Sequence, residues 1–166
     1  MPILTEQAQA VVDAHFAAEE HGDLAAIMST VDDDIAFEFH PMGKQLLGKA
    51  EVEVFYDFFV RSFRPRLKAF YVRDQWASES MIAVDQILWV AEDGGTLRMH
   101  SALGIIGMNE RFVCSERVYL SAELLSLMAG PSLTLLKPMA FKEPPIRRIG
   151  SDFSRADDEA SEPSSA

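Results

Sequence analysis

Between Leu67 and Leu120 the chain carries four consecutive stretches rich in β-branched and aromatic residues, LKAFYVRDQWA, SMIAVDQILWVAE, GTLRMHSALGII and RFVCSERVYL. No other feature limits the fold as much, because neighbouring strands joined by short turns pair antiparallel. AEDGGT and GMNE, the turns between the last three, offer residues that tolerate positive φ. Before Leu67 the period is helical. Leu4, Ala8, Val11, Val12, His15 and Phe16 predict an amphipathic helix over residues 4 to 21, with His15 on its apolar stripe and Glu19 continuing it. Gly22 supplies a stop, and Asp23 caps a second, short helix in which Leu24, Ile27 and Met28 share a face. Val52, Phe55, Tyr56, Phe59 and Phe63 then predict a third helix, set in the core. Helices first and antiparallel strands after them describe an α+β domain, with helices packed on one face of a curved sheet.

The acidic triplet DDD reads as a turn, IAFEFH as a strand ended by Pro41, and PMGKQLLG as a loop. SAELLSLMAG is a short closing helix stopped by Gly130. Residues 1–130 are thus expected to form the domain, residues 131–150 a Pro-rich extended arm, and residues 151–166 a disordered acidic tail. Residues 137 to 150 hold four bases and one acid, whereas residues 1 to 136 hold ten bases and twenty acids, so the arm suits an acidic surface.

A net charge of −11 argues against a nucleic-acid partner, which needs a basic face. No apolar run reaches the ~20 residues a membrane helix requires, and the amino-terminal stretch lacks the pattern of a secretion signal. One cysteine, Cys114, cannot form an intrachain disulfide, which suits the cytoplasm. The sequence offers no motif for a metal, an acyl-enzyme or a nucleotide, and no cofactor is expected. A neutral or apolar small-molecule ligand fits this composition best.

The pieces HGDLAAIM, FEFHPMG with GKAEVEVFY, and SALGII with ERVYLSAELL follow one another in an order that resembles the family of nuclear transport factor two, SnoaL-like polyketide cyclases, ketosteroid isomerases and limonene epoxide hydrolases. The resemblance spans residues 4 to about 129. It implies a cone-shaped α+β barrel around one apolar pocket, and a homodimer paired through the backs of the sheets. For activity it implies a cofactor-free acid–base enzyme, of isomerase, dehydratase or cyclase type, acting on a hydrophobic steroid-, terpenoid- or polyketide-like carbonyl compound. A non-catalytic binding or assembly module of the same fold is the alternative. The epoxide hydrolase triad is replaced here by Asp85, Ile87 and Val118, which disfavours epoxide hydrolysis.

Matched to the isomerase pattern, His40 stands where the general base precedes Pro-x-Gly, His15 where a tyrosine holds the oxyanion, and Tyr56 where a supporting tyrosine lies. The late-strand acid falls near Leu103. His40 would abstract a proton next to a carbonyl, or be a solvent-facing strand end. Strict alternation with Phe37 and Phe39 turns it away from a pocket unless the strand bends at Pro41. His15 is a ligand contact or a core histidine bonded to Tyr56 or Glu19. Asp85 either faces solvent or holds a histidine or arginine in place. Phe16, Phe37, Phe59, Trp89 and Met99 would line the pocket. His100 and Glu116 are expected to pair across the sheet, and Cys114 to be an inert strand residue.

Overall fold

The computed structural model describes residues 4–40 and 42–139; Pro41, the rest of the expected arm and the acidic tail lie outside the described residues. Helix α1 runs Glu6–His21, with the Thr5 hydroxyl accepting from the Ala8 N–H and Gly22 closing it at φ 69°. Asp23 caps α2, Leu24–Ser29, by accepting from the Ala26 N–H at 3.0 Å. Helix α3, Lys49–Phe58, continues into a π-helical turn, Phe59–Phe63, and a 3₁₀ turn, Arg64–Arg66. Its predicted apolar face, Val52, Phe55, Tyr56, Phe59 and Phe63, is buried throughout. The closing helix α4 is Ala122–Ala129.

The strands are β1 Val31–His40, β2 Lys44–Leu47, β3 Leu67–Ala77, β4 Met81–Ala91, β5 Leu97–Met108, β6 Val113–Tyr119 and β7 Lys137–Pro138. They form one open sheet in the order β3-β4-β5-β6-β1-β2-β7. Pairing is antiparallel except between β1 and β6, which run parallel. Together with the helices on its concave side this gives the expected cone, unclosed at its edges.

Two local expectations change. DDD is not a turn: it lies within β1, where the register against β6 slips between Val31 and Ala36 and the aspartates point outward. KQLL, placed in a loop by its sequence, is β2, which hairpins back on β1 with Ala36 opposite Leu47 and buries Leu46. After Gly130 a 3₁₀ turn, Gly130–Leu135, leads into β7 on the free edge of β2, where Lys137 meets Glu51 at 2.5 Å. The first residues of the expected arm therefore rest on this chain's own domain.

The register fixes which side chains look into the cone. One row crosses the sheet as Phe37, Glu116, Ile106 and Ile82; the next as Phe39, Val118, Gly104, Val84 and Gln75; a third as Ala102, Gln86 and Val72. Most are apolar and meet the faces of α1 and α3, where Phe37 packs 4.8 Å from both Phe39 and Phe55. Each such ring contributes about 1.5–3 kcal/mol by leaving water. A carboxylate, Glu116, stands among them.

Candidate functional site

Between the concave face and the helices lies a cavity of about 310 Å³. Phe16, Phe37, Phe55, Tyr56, Phe59 and Phe63 wall its helical side. Val84, Leu88, Ile106 and Val118 wall its sheet side. The π-helical turn takes part directly, with both Phe59 and Phe63 in the lining. Phe70, Val72, Gln75, Glu20 and Arg64 also line it, and Phe70 and Val72 remain exposed.

Glu116 provides the strongest polar feature of the lining. It is 5% exposed, and its Oε1 accepts the Tyr56 hydroxyl at 2.8 Å. His15, fully buried, places Nε2 3.3 Å from that same oxygen, 3.1 Å from the Tyr56 hydroxyl and 3.5 Å from Glu19 Oε1. The protonation of the ring follows from its other side. Thr30 donates its hydroxyl proton to the Ile27 carbonyl at 2.6 Å, so at 2.7 Å its Oγ1 accepts from His15 Nδ1–H. With Nδ1 protonated and Nε2 facing two carboxylates, the ring is held as an imidazolium. Burial works against that charge, but the hydrogen bonds and attraction of Glu116 and Glu19 outweigh it and lift the pKa from 6.5 to about 10.

Burial pushes the Glu116 carboxyl above its usual range, with the His15 contact pulling the other way. It pushes the Tyr56 phenol well above 10, helped by the nearby carboxylates. Among the described residues no group donates to Glu116 Oε2. One oxygen is thus held by Tyr56 and His15 while the other accepts from no described residue, on a side chain that lines the cavity, an arrangement suited to exchanging a proton with a bound molecule.

The sequence-predicted residues divide between the two faces of the sheet. Tyr56, Phe16, Phe37 and Phe59 line the cavity, and His15 sits directly behind Tyr56 and Glu116. His40 does not reach it. Phe37 and Phe39 take the inward positions, so His40 falls on the convex face, stacked on Tyr119 at 4.6 Å and 3.1 Å from Glu38 Oε2. Asp85 is also convex, paired with Arg73 at 2.7 Å. Trp89 and Met99 face each other there too, with Met99 59% exposed; period-2 alternation puts both out of phase with Leu88 and Val90.

Glu116 stands opposite Ile106 rather than His100, which lies opposite Leu88. His100 is buried, and its Nε2 has no partner among the described residues. Cys114, half-buried, donates to the Gly107 carbonyl, and burial raises its thiol pKa. The sequence reading missed Glu116 as a cavity residue. Its signal was phase, since Glu116 lies two positions from the apolar Val118 and shares its face of β6.

No family model matches the sequence, and no curated protein does. Solved structures do match. A SnoaL-like polyketide cyclase candidate from Jannaschia sp. CCS1 superposes with a TM-score of 0.61 at 15% identity, covering 79% of this chain and 97% of that one. A Mycobacterium tuberculosis protein in complex with estradiol-17beta-hemisuccinate gives 0.58 at 19%, covering 72% and 97%. A protein of ketosteroid isomerase-like fold from Catenulispora acidiphila, in complex with trimethylamine, gives 0.56 at 13%, covering 78% and 97%. At these identities the likeness concerns the fold: the chain has the NTF2-like cone shared by SnoaL-like and ketosteroid isomerase-like proteins. Among the described residues no helix is long and apolar enough to cross a membrane.

Proposed function

We propose that this protein is an acid–base enzyme of isomerase, dehydratase or cyclase type, acting on a hydrophobic carbonyl compound of steroid, terpenoid or polyketide kind. Glu116, in place of His40, transfers the proton. The observation that carries this reading is a carboxylate buried in an aromatic cavity with one oxygen anchored by Tyr56 and His15 and the other free. Glu116 Oε2 takes a proton from the carbon beside the carbonyl, and the C–H electron pair moves onto the carbonyl oxygen. That enolate can collapse by returning the proton to another carbon, by expelling a hydroxide that leaves as water, or by attacking a second carbonyl. The His15 imidazolium keeps Glu116 anionic until the transfer and stabilises the charge distribution around it.

The test is deuterium exchange and isomerisation of a panel of β,γ-unsaturated ketones. Glu116→Gln is expected to lose at least ~100-fold in rate, the ordinary share of a positioned base. Equal rates reject the assignment.

A binding role without catalysis is favoured by one observation: both His15 nitrogens and the Tyr56 hydroxyl already have partners inside the protein. Ligand binding with no exchange in any ketone of the panel would establish it. A homodimer fits the convex face, where Tyr71, Trp76, Met99 and Tyr119 stand exposed around the Arg73–Asp85 pair. Trp76→Glu is expected to give a monomer in sedimentation. A cytoplasmic setting suits the single cysteine.

A further inference from the structure

Glu19 is the member of the His15 cluster that the proton-transfer reading leaves without a task. It stands one helical turn after His15 on α1, in the cavity lining, with Oε1 3.5 Å from His15 Nε2. One carboxylate balances an imidazolium, and Glu116 already supplies it at 3.3 Å. A second gives the cluster a surplus negative charge, and its repulsion adds to the upward push on the Glu116 carboxyl. Neutralising His15 therefore does not account for Glu19.

Exposure separates the two carboxylates. Glu116, Tyr56 and His15 are 5%, 1% and 0% exposed, whereas the Glu19 side chain is 27% exposed. With a ligand filling the cavity, a proton taken by Glu116 has no direct way to bulk water. On the Nδ1 side of the ring the path ends at Thr30, whose hydroxyl is committed to the Ile27 carbonyl. Tyr56 donates back to Glu116 itself, and burial with the neighbouring carboxylates holds its phenol proton in place. Nε2 faces both carboxylates, so it is the point at which a proton can pass from one to the other.

We propose that Glu19 is the outlet of a proton path from Glu116 through His15 Nε2 to solvent, and so sets how often the proton taken from substrate is replaced by one from water. This rests on Glu116 being the base, as the proposed function has it. The path takes three transfers. The His15 Nε2–H bond breaks and its proton forms an O–H bond at Glu19 Oε1. The Glu116 carboxyl, turned over so that its proton faces the ring, then protonates the vacated Nε2. Glu19 gives its proton to water, which leaves the imidazolium restored and both carboxylates ionised. One proton has moved from Glu116 to water. Glu19 does not meet the reacting carbon; it acts through His15.

One measurement needs no substrate: exchange of the His15 Nε2–H with water, followed by nitrogen NMR of the imidazole ring. A base that carries this proton outward speeds its exchange, so Glu19→Gln is expected to slow it at least ~10-fold. A mere counter-charge predicts the opposite sign, because its removal loosens the ring and frees the proton sooner. Unchanged or faster exchange overturns the proposal. The other measurement is isomerisation of a β,γ-unsaturated ketone in heavy water. Wild-type product should carry solvent deuterium at the accepting carbon, whereas Glu19→Gln should largely return the substrate's own hydrogen. That fraction is set within each turnover, so it depends neither on the rate nor on the amount of folded enzyme. A Glu19→Gln product with as much deuterium as that of wild type overturns the proposal too. Glu116→Gln in the same assay tests the base by itself. Loss of rate there, beside unaltered exchange in Glu19→Gln, would remove the path and leave the proton-transfer reading standing.

Discussion

Raising the pH should unfasten the His15 cluster. The imidazolium is lifted from 6.5 to about 10 in the folded protein, so it adds stability fully below pH 6.5 and loses it as the pH climbs toward 10. At 1.36 kcal/mol per pH unit the whole contribution is about 5 kcal/mol, of which about 3 kcal/mol is lost between pH 6.5 and 9. Glu116, whose carboxyl is also pushed upward by burial, acts with the same sign from the acidic side, and Tyr56 stays protonated across the window. The assay is urea unfolding followed by circular dichroism at several pH values between those limits. The midpoint should fall while its slope against denaturant stays constant. Imidazole nitrogen shifts of His15 supply a second readout that does not depend on unfolding. Stability that holds within ~0.5 kcal/mol over the window, or a ring that titrates near its free value, would refute the imidazolium argued from Thr30, Glu116 and Glu19.

Phe37→Ala should cost about 3–5 kcal/mol, because a 2% exposed ring in contact with Phe39, Phe55 and Tyr56 leaves a void beside the cavity; chemical denaturation measures it. His40→Ala should leave ketone exchange within about twofold of wild type, since the ring lies on the opposite face of the sheet; the exchange assay checks it. Gly130→Ala should destabilise by at least ~2 kcal/mol, because its φ of 46° strains any side chain and the added carbon would stand 2.5 Å from the Phe58 ring. Its melting temperature reads this directly.

Residue periodicity revealed the elements more readily than the faces they present. Leu4 to Phe16 and Val52 to Phe63 could belong only to amphipathic helices, and Gly22 and Asp23 marked the junction of α1 with α2 because only a short chemical menu caps a helix. In β4 the inward set, Ile82, Val84, Leu88 and Val90, and the outward set, Met81, Ala83, Ile87 and Trp89, are both apolar. Alternation therefore could not assign Trp89, and through their pairing Met99 followed it to the wrong side. β1 carried the information for His40, since Phe37 and Phe39 fix the phase of the strand, but the position matched to the isomerases pulled toward the pocket. KQLL was too short to register as a strand without its partner. Glu116 was hidden for a different reason: its meaning depends on Tyr56 and His15, brought beside it by pairings across the whole chain.

The parallel pairing of β1 with β6 also dictates an order of events during folding. The two strands come from opposite ends of the domain, and Tyr56 meets Glu116 across 60 positions of sequence. The helices and the β3-β4-β5 meander can assemble from local encounters, whereas the pairing of β6 with β1 closes a loop of about 80 residues and that of β7 with β2 one of about 90. A nascent chain on the ribosome therefore holds an unfinished cup until β6 has emerged and brought Glu116 to it, with only α4 and β7 still to follow.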